Sequence, residues 1–138
     1  MISVILGEKG SGKTKAFIEK VNQAAIDEHG NVVCIAKGNR HMFDVKSSVR
    51  MVDTTDFELD GYKVFYGFIC GIISRDFDIT HIFIDSVTKI VNSDLEKFTV
   101  FLGFLEGIAK DFNIKFTITT SAPMSAATED MKKYLIEY

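Results

Sequence analysis

The sequence predicts an α/β fold in which a parallel sheet is covered by helices on both faces. Two observations carry that reading. Strand-like and helix-like segments alternate along 138 residues, and such alternation builds parallel sheets. Several strand-like runs are continuously apolar, as strands buried on both faces are. A third observation concerns function: the polar residues best suited to chemistry fall where these strands end, the edge at which α/β sheets bind ligands.

The first run, residues 2–6, leads directly into Gly7-Glu8-Lys9-Gly10-Ser11-Gly12-Lys13-Thr14. This reads G-x-x-x-x-G-K-T, the phosphate-binding P-loop, and the motif has meaning only between a strand and a helix. The helix is supplied by residues 13–25, with Ala16, Phe17, Val21, Ala24 and Ala25 at helical spacing. The glycines let consecutive backbone N–H groups point at one phosphate chain, backed by the positive end of the helix dipole. Lys13 is placed to reach the β- and γ-phosphates, and the Thr14 hydroxyl to ligate Mg²⁺. The motif implies a bound nucleoside triphosphate or its diphosphate product.

Residues 31–36 follow Gly30 as a second buried strand and run into the polar loop Lys37-Gly38-Asn39-Arg40-His41. Arg40, at a strand's carboxyl end, is a candidate phosphate or trans-acting contact, with a solvated loop arginine as the alternative. The stretch 42–60 is hard to read beyond a short strand at 49–52. Asp60 is expected to cap a helix over 61–75 whose inner face is Val64, Phe65, Phe68, Ile69, Ile72 and Ile73. Residues 81–86 form a strand ending in an acid, Asp85. A helix is expected over 93–111, capped by Ser93 or Asp94 and packed through Phe98, Phe101, Leu102, Leu105 and Ile108. Phe104 lies off that stripe, which leaves a second buried face, a partner surface or simply wide contacts open. Residues 115–121 form a strand ending in Thr120 and Ser121. A short helix over 125–132 and a final strand over 133–138 complete the chain.

Composition narrows the function classes. With 46% hydrophobic and 25% charged residues, the chain fits one nucleotide-binding domain over 1–138. A net charge of −3 gives no general nucleic-acid signal. Cys34 and Cys70 sit in apolar runs and are read as free thiols rather than a disulfide or metal pair. No apolar run reaches membrane-spanning length, and the first strand begins at residue 2, so a cytoplasmic protein without a signal peptide is expected.

Ile82-Phe83-Ile84-Asp85 fits the hydrophobic strand that ends in a Walker B aspartate. Mg²⁺ is a hard ion that keeps several waters, and a carboxylate there holds one of them or the Thr14 hydroxyl. With these motifs together, the chain resembles the RecA/KaiC-like branch of P-loop ATPases. The run Ile84-Asp85-Ser86-Val87 is similar to that branch's "IDS" segment, residues 101–110 to the helix after it, and Phe116-Thr117-Ile118-Thr119-Thr120-Ser121 to its "TxLLTS" strand. The resemblance implies a three-layer αβα fold with a mostly parallel five-stranded sheet. One strand is then inserted between the P-loop and Walker B strands, and a polar group near Ser121 senses the γ-phosphate. It further implies an ATP- and Mg²⁺-dependent site in which Lys13, Asp85 and Ser121 serve catalysis and Thr14 and Asp85 hold the metal.

The chain departs from that branch at one point. The acid that polarises the attacking water follows either the second strand or Walker B, and here those places hold Lys37-Gly38-Asn39 and Ser86. Glu8 is expected to face solvent, and Asp53, Asp56 and Glu58 fall in the unread stretch. A GTPase is disfavoured by the lack of N-K-x-D and of a D-x-x-G glycine after Asp85. A small-molecule kinase lacks room for an arginine-bearing lid near Asn113, and two cysteines cannot supply a zinc lasso. Two readings remain: a slow ATPase, or a nucleotide-binding regulatory or assembly module. Whether it forms a homo-oligomer or meets another protein is open.

Overall fold

Val32 to Ala36 are all buried, as a strand with helices on both of its faces must be. The computed structural model describes residues 1–138. Its elements are β1 (Ile2–Gly7), α1 (Lys13–Asp27), β2 (Asn31–Ala36), β3 (Arg50–Asp53), α2 (Tyr62–Arg75), β4 (Ile79–Ile84), α3 (Val87–Val91), α4 (Phe98–Phe112), β5 (Lys115–Ser121) and α5 (Glu129–Lys132). The sheet order is β1-β5-β4-β2-β3, and every pairing is parallel. The inserted strand expected between the P-loop strand and the acid-ending strand is β5.

Successive side chains of a strand point to opposite faces, and this alternation divides the core. Val33, Ile35, Ile82, Ile84, Phe116 and Ile118 pack with Phe65, Ile69, Phe101 and Leu105 of α2 and α4. Val32, Cys34 and Phe83 instead meet Phe17, Val21 and Ala24 of α1, together with Val45 and Val49 of the loop after β2. Along β5 the same alternation puts Thr117, Thr119 and Ser121 opposite in sense to Phe116 and Ile118. Two of these hydroxyls pair with groups on or just after β4: Thr117 with His81 at 2.9 Å and Thr119 with Asp85 at 2.9 Å.

Several element boundaries differ from expectation for local reasons. Asp60 does not cap α2; Gly61 does, at φ 89°, and its N–H donates to the Val91 carbonyl at 2.8 Å. Val64 is 50% exposed rather than inward. Helix α4 starts at Phe98, not at residue 93. Asp94 accepts the Glu96 N–H at 2.9 Å, a local turn that competes with helix. Phe104 is partly exposed and rests against Tyr66, ring centroids 5.4 Å apart. The helix expected over 125–132 is a 3₁₀ turn, Met124–Ala126, followed by α5, whose N-cap Thr128 accepts the Met131 N–H. Residues 133–138 form no strand. They make one parallel bridge between Leu135 and Val4 on the free edge of β1, with Tyr134 tied to Glu106 on one side and Tyr138 to Ser11 on the other.

Candidate functional site

After β1 the chain turns through Gly10 at φ 85° and Gly12 at φ 88°, left-handed conformations that favour glycine. Helix α1 then begins at Lys13, with no acidic residue in its first turn. The partial positive charge of the helix start is therefore left uncompensated by the chain itself. The cavity beyond it measures about 430 Å³ and is lined by Glu8, Lys9, Gly10, Gly12, Lys13, Thr14, Lys15, Arg40, Ser86, Lys89 and Ser121. Five of these are cations, one is an acid and none is hydrophobic. Such a lining suits a polyanion and provides no apolar slot for a planar ring.

Lys13 is only 9% exposed, and its Nζ donates to Ser121 Oγ at 2.8 Å. Burial lowers its pKa; Asp85 opposes that shift, while Lys89 and Arg40 add to it. A buried lysine flanked by like charges gains stabilisation from an anionic ligand.

Asp85 is 4% exposed and its carboxylate is fully engaged. Oδ2 accepts from Arg40 Nη2 at 2.9 Å and His41 Nε2 at 2.8 Å. Oδ1 accepts from Thr119 Oγ1 at 2.9 Å and Ser86 Oγ at 3.3 Å. Burial works to raise its pKa, and the bonds from His41, Arg40 and Thr119 outweigh it, holding the carboxyl well below the usual range. His41 Nε2 must donate here, because an ionised carboxylate has no proton to give. It then has no lone pair free for Arg40 Nε, 3.2 Å away, so the arginine's bond is to Asp85.

The sequence-derived residues converge unevenly. Gly10, Gly12, Lys13, Thr14 and Ser121 border one cavity, with Gly7 buried at the end of β1. Ser11 stands outside that lining, its Oγ accepting from Tyr138 Oη at 2.8 Å. Glu8 is exposed, as expected, and is the one carboxylate in the lining. Asp85 sits beside the cavity but on Arg40 and His41 rather than on Thr14. Thr120 Oγ1 is buried without a partner. Asp53 fixes the loop after β2, accepting the Gly38 N–H at 2.8 Å and the Thr55 hydroxyl at 2.6 Å. Asp56 and Glu58 are exposed, away from the lining.

Lys89, His41 and Thr119 escaped the sequence reading of the site. Thr119 was accessible from the polar alternation of β5. Lys89 lies on α3, a helix of five residues too short to show a period. His41 reaches Asp85 across 44 residues, a contact no local pattern encodes.

The fold is shared with the crystal structure of a KaiC-like protein from the hyperthermophilic archaeon Pyrococcus horikoshii. The TM-score is 0.63 at 18% identity, over 96% of this chain and 67% of that one. The chain thus shares the fold of that KaiC-like protein, an α/β fold built on a five-stranded parallel sheet. No protein-family model matches the sequence, and no curated protein matches it.

Proposed function

We propose that residues 1–138 act as one nucleotide-binding unit that takes ATP with Mg²⁺ and hydrolyses it slowly. The observation that carries this reading is the cavity itself: five cations against one acid, at a helix start with no acid in its first turn, in a chain whose net charge is −3. Lys13 is the cation for the β- and γ-phosphates, and Ser121, bonded to it, is the polar group nearest the terminal phosphate. ATP is favoured over GTP because no guanine-reading segment is present in the sequence.

The donors fit a hard ion. Thr14 offers a hydroxyl in the lining and Asp85 a carboxylate beside it, and oxygen ligands suit Mg²⁺. No group of three His, Cys, Asp or Glu could hold a metal alone, so an ion here would rely on phosphate oxygens, the usual arrangement for Mg²⁺. When bound, the ion would neutralise charge on the phosphate chain. Thr14 and Asp85 would orient it, and Lys13 would stabilise the oxygens that gain charge.

A specific observation favours the second reading, a module whose bound state matters more than turnover. The cavity's one carboxylate is the exposed Glu8, and Asp85 has no free acceptor, so no acid is placed to orient a water. No helix is long and apolar enough to cross a membrane, and both cysteines are free, which fits a cytoplasmic setting. Measuring ATP turnover across protein concentration separates the readings. A rate rising with concentration supports an oligomeric ATPase with a shared residue; binding without turnover supports the module.

A further inference from the structure

The four partners of Asp85 are not equivalent. Thr119, Ser86 and His41 are buried at 1%, 9% and 3% exposure, whereas the Arg40 side chain is 54% exposed and borders the phosphate cavity. A carboxylate offers roughly four acceptor positions, and all four are taken. Holding a metal ion's water shell therefore requires one partner to leave, and Arg40 is the one with somewhere to go. The loop backbone does not have to move. It is pinned by Asp53 on the Gly38 N–H at 2.8 Å and by Asn22, which bonds the Asp44 carbonyl at 2.9 Å and the Lys46 N–H at 2.8 Å.

We propose that Arg40 is a triphosphate-responsive latch on Asp85. Without ligand it pairs with the carboxylate; a terminal phosphate recruits the guanidinium and frees Asp85 for the metal. Arg40 gives Asp85 one N–H, from Nη2, and a guanidinium donates to phosphate as well as to carboxylate, so the exchange keeps that hydrogen bond. A diphosphate offers no terminal group at that place, and Arg40 stays on Asp85. The inference rests on the nucleotide-binding reading above and adds to it a built-in discrimination between ATP and ADP.

Binding of ADP and of a non-hydrolysable ATP analogue, each with Mg²⁺ and with EDTA, tests it by calorimetry. In the wild type, Mg²⁺ strengthens the analogue far more than ADP. Arg40→Ala tightens ADP·Mg, weakens the analogue, and shrinks the preference about tenfold, within the usual span of coupling between sites. Arg40→Lys, which keeps a charge without the fork, retains part of the preference. An equal Mg²⁺ effect on both nucleotides in the wild type overturns the latch, whatever the variants do. So does an Arg40→Ala that weakens ADP·Mg and the analogue alike, since Arg40 is then an ordinary cation of the cavity. Failure of the wild type to bind either nucleotide overturns the underlying reading as well.

Discussion

At the scale of single residues, Asp85 and His81 show how burial and partners set charge. Asp85→Asn keeps the size and loses the charge proposed to orient a metal, so nucleotide binding should lose its Mg²⁺ sensitivity more than its affinity in EDTA. Unaltered metal dependence would make Asp85 a structural strand end. His81 stacks on Phe83 at 4.0 Å and bonds Thr117. Burial, only partly opposed by Glu28, brings its pKa from 6.5 down to about 4. The unfolded chain therefore takes up this proton below pH 6.5, while the folded chain resists until about pH 4. Stability should fall as the pH drops through that window, by about 3 kcal/mol at most. Urea unfolding from pH 7 to 4 checks this: the wild type should show the slope and His81→Gln should flatten it, and identical slopes would contradict the assignment. Of these residues, Asp85 was legible because it ends an apolar strand. His81 and its hydroxyl partner were not, because their pairing depends on which strand neighbours β4.

At the scale of elements, legibility followed length and periodicity. β1, α1, β2, β4 and β5 were read close to their observed bounds, since each has a clear run or stripe. β3 was legible only as a fragment, being a four-residue edge strand with no fully buried position. α3 lies between two left-handed residues, Ser86 at φ 53° and Asn92 at φ 50°, and nothing in five residues announces it. Close backbone approach is equally silent in the sequence. At Gly30, before β2, an added Cβ would stand 2.1 Å from the Asp78 carbonyl oxygen. Gly30→Ala should therefore destabilise the fold by about 1–3 kcal/mol, through β2 and the segment entering β4. Denaturant unfolding measures it, and a neutral or stabilising result would show that this junction yields easily.

Across the whole molecule, the sheet order brings the ends of β1, β5 and β4 side by side, and the acidic chain gathers five of its cations there. That arrangement suits a phosphate chain without supplying a water-orienting acid. A missing general base forfeits about 10²–10⁴-fold; from a typical turnover of about 10 s⁻¹, roughly 0.1 s⁻¹ or less remains. Turnover of several per second, abolished in Lys13→Ala, would mean that another group completes the site. The central claim, nucleotide binding through Lys13, is tested most directly by thermal unfolding with millimolar ATP and Mg²⁺. A ligand at 100 times its Kd stabilises by about 2.7 kcal/mol, so the wild-type Tm should rise by several degrees, while that of Lys13→Ala stays unchanged. A wild-type Tm unmoved by either ATP·Mg or ADP·Mg would contradict the account.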